Sequence, residues 1–119
     1  MTGNALVLAV DGTVTAITLP DRDRLKAMYA ALGCDLVDVV SLTDKIDMWL
    51  DDEGIYNHPA NPYATQLARR YGHTHQPYFG PVLLCGVTSD GDSINLSPAQ
   101  TQAAIAQITD VLVSIGAHP

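Results

Sequence analysis

The segment Pro81-Val-Leu-Leu-Cys-Gly-Val87 constrains the fold more than any other part of the chain. Successive side chains of a strand point to opposite faces, and neither set here offers a polar group. It reads as the most buried strand of the protein. The rest of the sequence must therefore supply a sheet for it to join and helices to cover that sheet.

Both are legible. Ala5 to Val10 and Val14 to Leu19 are β-prone runs joined by Asp11-Gly12, which provides the positive φ angles of a tight hairpin turn. Pro20 and Asp21 break the second strand, and Asp21 is the expected N-cap of a helix. That helix carries Leu25, Met28, Tyr29 and Leu32 on one side and closes at Gly33. Leu36 to Leu42 is a β-branched strand. In the next segment Ile46, Met48 and Leu50 alternate with Lys45, Asp47, Trp49 and Asp51, the pattern of a half-exposed strand. Asp51-Asp52-Glu53-Gly54 reads as a solvated acidic turn, and Ile55-Tyr56 as the start of a short return strand that His58-Pro59 stops.

Asn61 caps and Pro62 starts a helix whose apolar side is Tyr63, Ala64, Leu67, Ala68 and Tyr71, with Gly72 at its end. Asp90-Gly91 makes another turn. Ser97-Pro98-Ala99-Gln100 is a capping box opening a final helix lined by Ile105, Ile108, Val111, Leu112 and Ile115 and closed by Gly116. The order ββα-ββ-α-β(β)-α predicts a single α+β domain over residues 1–119, a mostly antiparallel sheet covered by about three helices. A chain of 119 residues is long enough for one such core.

Charge narrows the partners. The net charge is −7, and ten of the thirteen acids precede Ile55. An acidic surface repels phosphates, so direct nucleic-acid binding is not expected. Solubility is the plain explanation; a DNA-mimicking inhibitor is the sharper one, although twelve Asp and one Glu make a sparse mimic. Cys34 and Cys85 are too few and too far apart for a metal ribbon or a disulfide scaffold and read as buried free thiols, as in a reducing cytoplasm. Ala5 to Val10 is too short for an export signal, and no run reaches the length of a membrane span. The expectation is a soluble cytoplasmic protein.

Chemically versatile side chains gather between Asn57 and Pro81, which holds three of the four histidines, two of the four arginines and the only phenylalanine. His73 and His75 would face one side of an extended segment, as metal-binding pairs do. A third ligand would have to come from His58, Asp51, Asp52 or Glu53, and no motif supports it. Polar loop histidines are the simpler reading, and neither a metal nor another cofactor is expected. Arg69 and Arg70 complement the dipole of the short helix and, with Thr65 and Gln66 one turn back, could meet an anion or carboxylate. Tyr63 and Tyr71 fall on the packed face. Tyr56 and Tyr78, flanking the helix in loops, are better placed for an exposed binding surface. There is no Walker loop, Gly-x-Gly-x-x-Gly, nucleophile elbow or Cys–His arrangement, which leans away from an enzyme.

Several of these pieces come in a familiar order. An apolar strand leads through Asp11-Gly12 to Val14, an acidic turn ends in Gly54, Asn61-Pro62-Tyr63-Ala64-Thr65 starts a helix, and Gly80-Pro81-Val82 opens a strand ending at Gly86. In these the chain resembles the family called domain of unknown function 3846, small proteins of phages, plasmids and actinobacteria. The resemblance implies an accessory protein of a phage or mobile element that acts by binding a host or defence protein.

Three functions follow as expectations. The first is a non-enzymatic binding module that docks through Tyr56, His58, Asn61, Thr65, Arg69, Arg70, His73, His75 and Tyr78. The second is a small-molecule or nucleotide-binding protein, with or without enzymatic activity, that has Asn61, Thr65, Arg69 and His75 around a pocket. The third is an acidic decoy of DNA. A homodimer through a strand edge or the Trp49 face is compatible with each.

Overall fold

The computed structural model describes residues 3–116. Strands β1 (Ala5–Leu8) and β2 (Val14–Ile17) form the first hairpin, followed by α1 (Arg24–Leu32) and a second hairpin, β3 (Val37–Ser41) and β4 (Ile46–Asp51). Helices α2 (Gly54–Asn57) and α3 (Pro62–Arg70) lead to β5 (Val82–Val87), the two-residue β6 (Ser93–Ile94) and the long α4 (Pro98–Ile115). The α+β order read from the sequence holds, with one additional short helix.

The strands form one antiparallel sheet in the order β2-β1-β5-β4-β3, and β6 adds to β5 beyond the end of β1. The uninterrupted apolar run is the central strand: Leu83 lies opposite Val7 of β1 and Trp49 of β4. Strand alternation then sorts the core into two layers. Leu6, Leu8, Met48, Leu50, Val82 and Leu84 pack with Ala64, Leu67 and Ala68 of α3 and Ala104, Ile108 and Val111 of α4. Ala5, Leu83 and Cys85 pack on the other face with Met28 and Leu32 of α1, and Val7 and Trp49 join them. A fully buried Leu or Met contributes about 1.5–3 kcal/mol, so these aliphatic layers dominate the stability.

Local signals account for the turns and caps. Gly12 takes φ +91° in the first hairpin, where its N–H donates to Ala9 O and the Asp11 carboxylate accepts from Thr13 N. The capping box of α4 is complete, with Gln100 N donating to Ser97 Oγ and Ser97 N to Gln100 Oε1.

Four expectations need correction. Helix α1 starts later than Asp21 implied: Asp23 is the N-cap, at φ 57° and without a side-chain bond. The Arg24 guanidinium fixes this start, donating to Pro20 O, Ser93 Oγ and Asn95 Oδ1. The apolar side of the helix shifts accordingly, so Ala27 and Ala31 join Met28 and Leu32 in the core while Leu25 is exposed. Strand β4 is not half-exposed, because α1 packs on the face that carries Trp49, and both Asp47 and Asp51 are buried. Ile55 and Tyr56 belong to helix α2 instead of a return strand, for a reason that lies in Asp51.

Candidate functional site

Asp51 closes β4 and is 4% exposed. Its Oδ1 accepts from Glu53 N at 2.9 Å, and its Oδ2 accepts from Asn57 Nδ2 at 3.2 Å and His58 Nε2 at 3.1 Å. Burial pushes this carboxyl up. The bonds from Glu53, Asn57 and His58, with the His58 charge, outweigh burial and leave it below the ordinary Asp range. The expected solvated acidic turn is therefore an anchored one, and its carboxylate winds the next residues into α2. Gly54 is required where α2 starts, since a Cβ there would lie 2.8 Å from Phe79 O. Gly80, at φ +80°, lies under the His58 ring, and a Cβ would come within 2.7 Å of two ring carbons.

The consequence is a raised, fixed corner. Asn57 and His58 turn inward onto Asp51, while Ile55 is 63% exposed and Tyr56 85% exposed. Beside them a cleft of about 280 Å³ runs between the end of β4, α2 and the segment 76–79. Leu50, Ile55, Pro77 and Phe79 give it apolar walls, and Asp38, Asp51 and Asp52 an acidic side.

The other residues singled out in the sequence go to different places. Asn61 is wholly buried and serves as a joint: its Oδ1 accepts from Ala64 N, and its Nδ2 donates to Leu8 O and Gly80 O. Thr65 Oγ1 donates to Asn61 O and accepts from Tyr78 N. Tyr78 is therefore drawn into the core at 5% exposure instead of standing in solvent. The pairing of Ala60 with Phe79 fixes the same segment.

Arg70 pairs with Asp110 of α4 at 3.0 Å, a surface contact worth little to stability. Arg69 is exposed in the last turn of α3, where its charge meets the helix C-terminus. His73 Nε2 donates to Ser41 O at 2.7 Å on the free side of β3, and the Asp38 carboxylate accepts from Val39 N on the same strand. These two contacts occupy groups of an edge that would otherwise be open to pairing. His75 is exposed in the loop.

The nine residues thus do not converge on one place. Tyr56 and His58 share the α2 corner, Asn61, Thr65 and Tyr78 form the joint beneath it, and Arg69, Arg70, His73 and His75 lie apart. Sequence reasoning missed Asp51 and Ile55. The signal was present: an Asx-type acid before Glu53-Gly54, with Asn57 and His58 six and seven residues on, suits a short helix closing back on the carboxylate that precedes it. The His58–Asp51 contact is the orienting half of a catalytic arrangement, but among the described residues no nucleophile bonds to His58. Among the described residues no three His, Cys, Asp or Glu side chains are grouped to hold a metal ion. No helix among them is long and apolar enough to cross a membrane.

Comparison with known proteins gives a single assignment. The model of the family described as Domain of unknown function (DUF3846) matches residues 1–111. No curated protein and no solved structure matches the chain. The family match spans the hairpin, the Asp51-anchored corner, the Asn61 joint, the central strand and most of the last helix, and the chain belongs to the DUF3846 family.

Proposed function

We propose that this protein is a non-enzymatic binding module that docks a protein partner on the α2 corner. The observation that carries the reading is Tyr56, 85% exposed beside Ile55 at 63%, on a four-residue helix whose base is fixed by Asp51. So short a helix has no stability of its own in water. Keeping it folded while its two large apolar side chains face solvent does nothing for the core. A pre-ordered aromatic anchor is what interfaces use, because little side-chain or backbone entropy is then lost on binding. The adjoining cleft offers a place for a side chain of the partner.

The setting implied by the family resemblance is an accessory protein of a phage or other mobile element acting on a host or defence protein. Small-molecule or nucleotide binding by Asn61, Thr65, Arg69 and His75 has less support, because the first two have their polar groups engaged within the fold.

The test is the double variant Ile55→Ala, Tyr56→Ala in an affinity capture from host cells, compared with Val113→Ala on the exposed side of α4. The α2 double variant should fold as the parent and lose the partner that the Val113 variant retains. Equal recovery by both would reject the α2 corner as the docking surface.

A further inference from the structure

On the far side of β4 from α3 and α4, Asp47 is 8% exposed, and no group among the described residues donates a hydrogen bond to its carboxylate. The two other buried polar or charged residues among the described ones have a use: Asp51 anchors α2, and Asn61 joins three segments. Its oxygens remain in reach of solvent, since Trp49 Nε1 is the one enclosed side-chain polar atom without a hydrogen-bond partner among the described residues, so the carboxylate of this mostly buried side chain is open to a partner from outside. Asp47 stands opposite Cys85 in the β4–β5 ladder, and on the same face the Trp49 indole N–H is also buried without an acceptor. Burial raises the Asp47 carboxyl above its ordinary value, with no hydrogen bond to offset it.

Asp47 lines a groove of about 840 Å³ at the turn end of the β3–β4 hairpin. Val39 and Val87 supply apolar wall, Ser41, Thr88 and Ser89 supply hydroxyls, and Asp44 adds a second carboxylate at an exposed position. The chemistry of this lining discriminates among ligands. An anion would meet two carboxylates. A metal ion needs at least a third strong ligand, and the described residues offer no such group of three. An alkylammonium needs only a carboxylate, hydroxyl acceptors and an apolar wall for its methylenes.

We propose that this groove binds a small aliphatic amine in its ammonium form, seated on Asp47, with its alkyl chain against Val39 and Val87. The site is separate from the α2 corner and does not depend on the docking role of Tyr56. Lys45 also lines the groove, but it forms no ion pair with Asp47. It is the internal rival to the ligand.

Calorimetric titration of the full chain with butane-1,4-diamine and with butylamine, at neutral pH and physiological ionic strength, tests the site. The parent should bind saturably, and an equal ionic strength of sodium chloride alone should give no such signal. Asp47→Asn should weaken binding by at least about tenfold, since a charge-assisted hydrogen bond is lost. Lys45→Met, which removes the competing cation, should bind as tightly as the parent or more tightly. Val39→Lys places a new ammonium on an exposed strand position at the groove and should weaken binding several-fold, which keeps the test decisive should Asp47→Asn fold poorly. The proposal is overturned by absence of saturable binding, by equal binding to the parent and to Asp47→Asn or Val39→Lys, or by a thermal-stability double-mutant cycle showing that Lys45 and Asp47 already pair.

Discussion

Replacing Asn61 tests how the α2 corner is tied to the core. Its side chain makes three buried hydrogen bonds, to Ala64 N at 3.0 Å, Gly80 O at 2.9 Å and Leu8 O at 3.2 Å. Asn61→Ala removes an N-cap, worth about 1 kcal/mol. It also strips a donor from two carbonyls that water cannot reach, at about 1–3 kcal/mol each. Taking the lower half of that range, the loss is about 3–5 kcal/mol, a large share of the roughly 5–15 kcal/mol that holds a domain of this size. With a urea m-value of about 1.5 kcal/mol/M, the midpoint should fall by about 2–3 M.

Asn61→Ser separates the two contributions. It keeps an oxygen for Ala64 N and should recover only about 1 kcal/mol of the loss. Asn61→Asp keeps the cap but turns a carboxylate toward two carbonyl oxygens, so its folded pKa should lie above the unfolded value. The penalty is then full above that raised pKa and declines as pH falls through it, and this variant alone should gain on the parent with acidification. The reasoning is refuted if Asn61→Ala costs less than about 1 kcal/mol, or if Asn61→Ser is as stable as the parent, because the bonds to Leu8 and Gly80 would then carry no weight.

Two further predictions concern the same corner. The Asp51 carboxyl is held below its ordinary range in the fold, so its contribution is present above the unfolded value of about 3.9 and is lost as pH falls through the lower folded value. Urea midpoints measured from neutral pH into that acid window should drop steeply for the parent, and Asp51→Asn should start lower and drop less. Gly80→Ala forces a Cβ to within 2.7 Å of the His58 ring at a backbone angle that L residues seldom adopt, and should lower stability by about 2 kcal/mol or more in the same assay.

Much of the fold was legible because its determinants are local or periodic. The unbroken apolar run Pro81 to Val87 marks the central strand, Ser97 to Gln100 carries a whole capping box, and Asn61-Pro62 starts a helix as its residue types require. The candidate site was less legible because its determinants join distant segments. Alternation at Asp47 and Asp51 suggests an exposed face, yet segments distant in sequence pack on that face of β4, and both are buried. Tyr78 looks like a loop aromatic until Thr65 Oγ1 takes its N–H and draws it inward. Tyr56 reads as exposed from its loop position, but the helix that presents it depends on a carboxylate whose burial one strand's pattern does not reveal.

The docking claim is tested most directly by placing a photo-crosslinking phenylalanine analogue at position 56, with position 113 on α4 as the exposed control, and irradiating cells that make the full chain. A discrete adduct of one partner from position 56, absent from position 113 and lost when Ile55 is changed to Ala, is the predicted result. No adduct at position 56, or the same pattern at both positions, would contradict a binding surface built on α2.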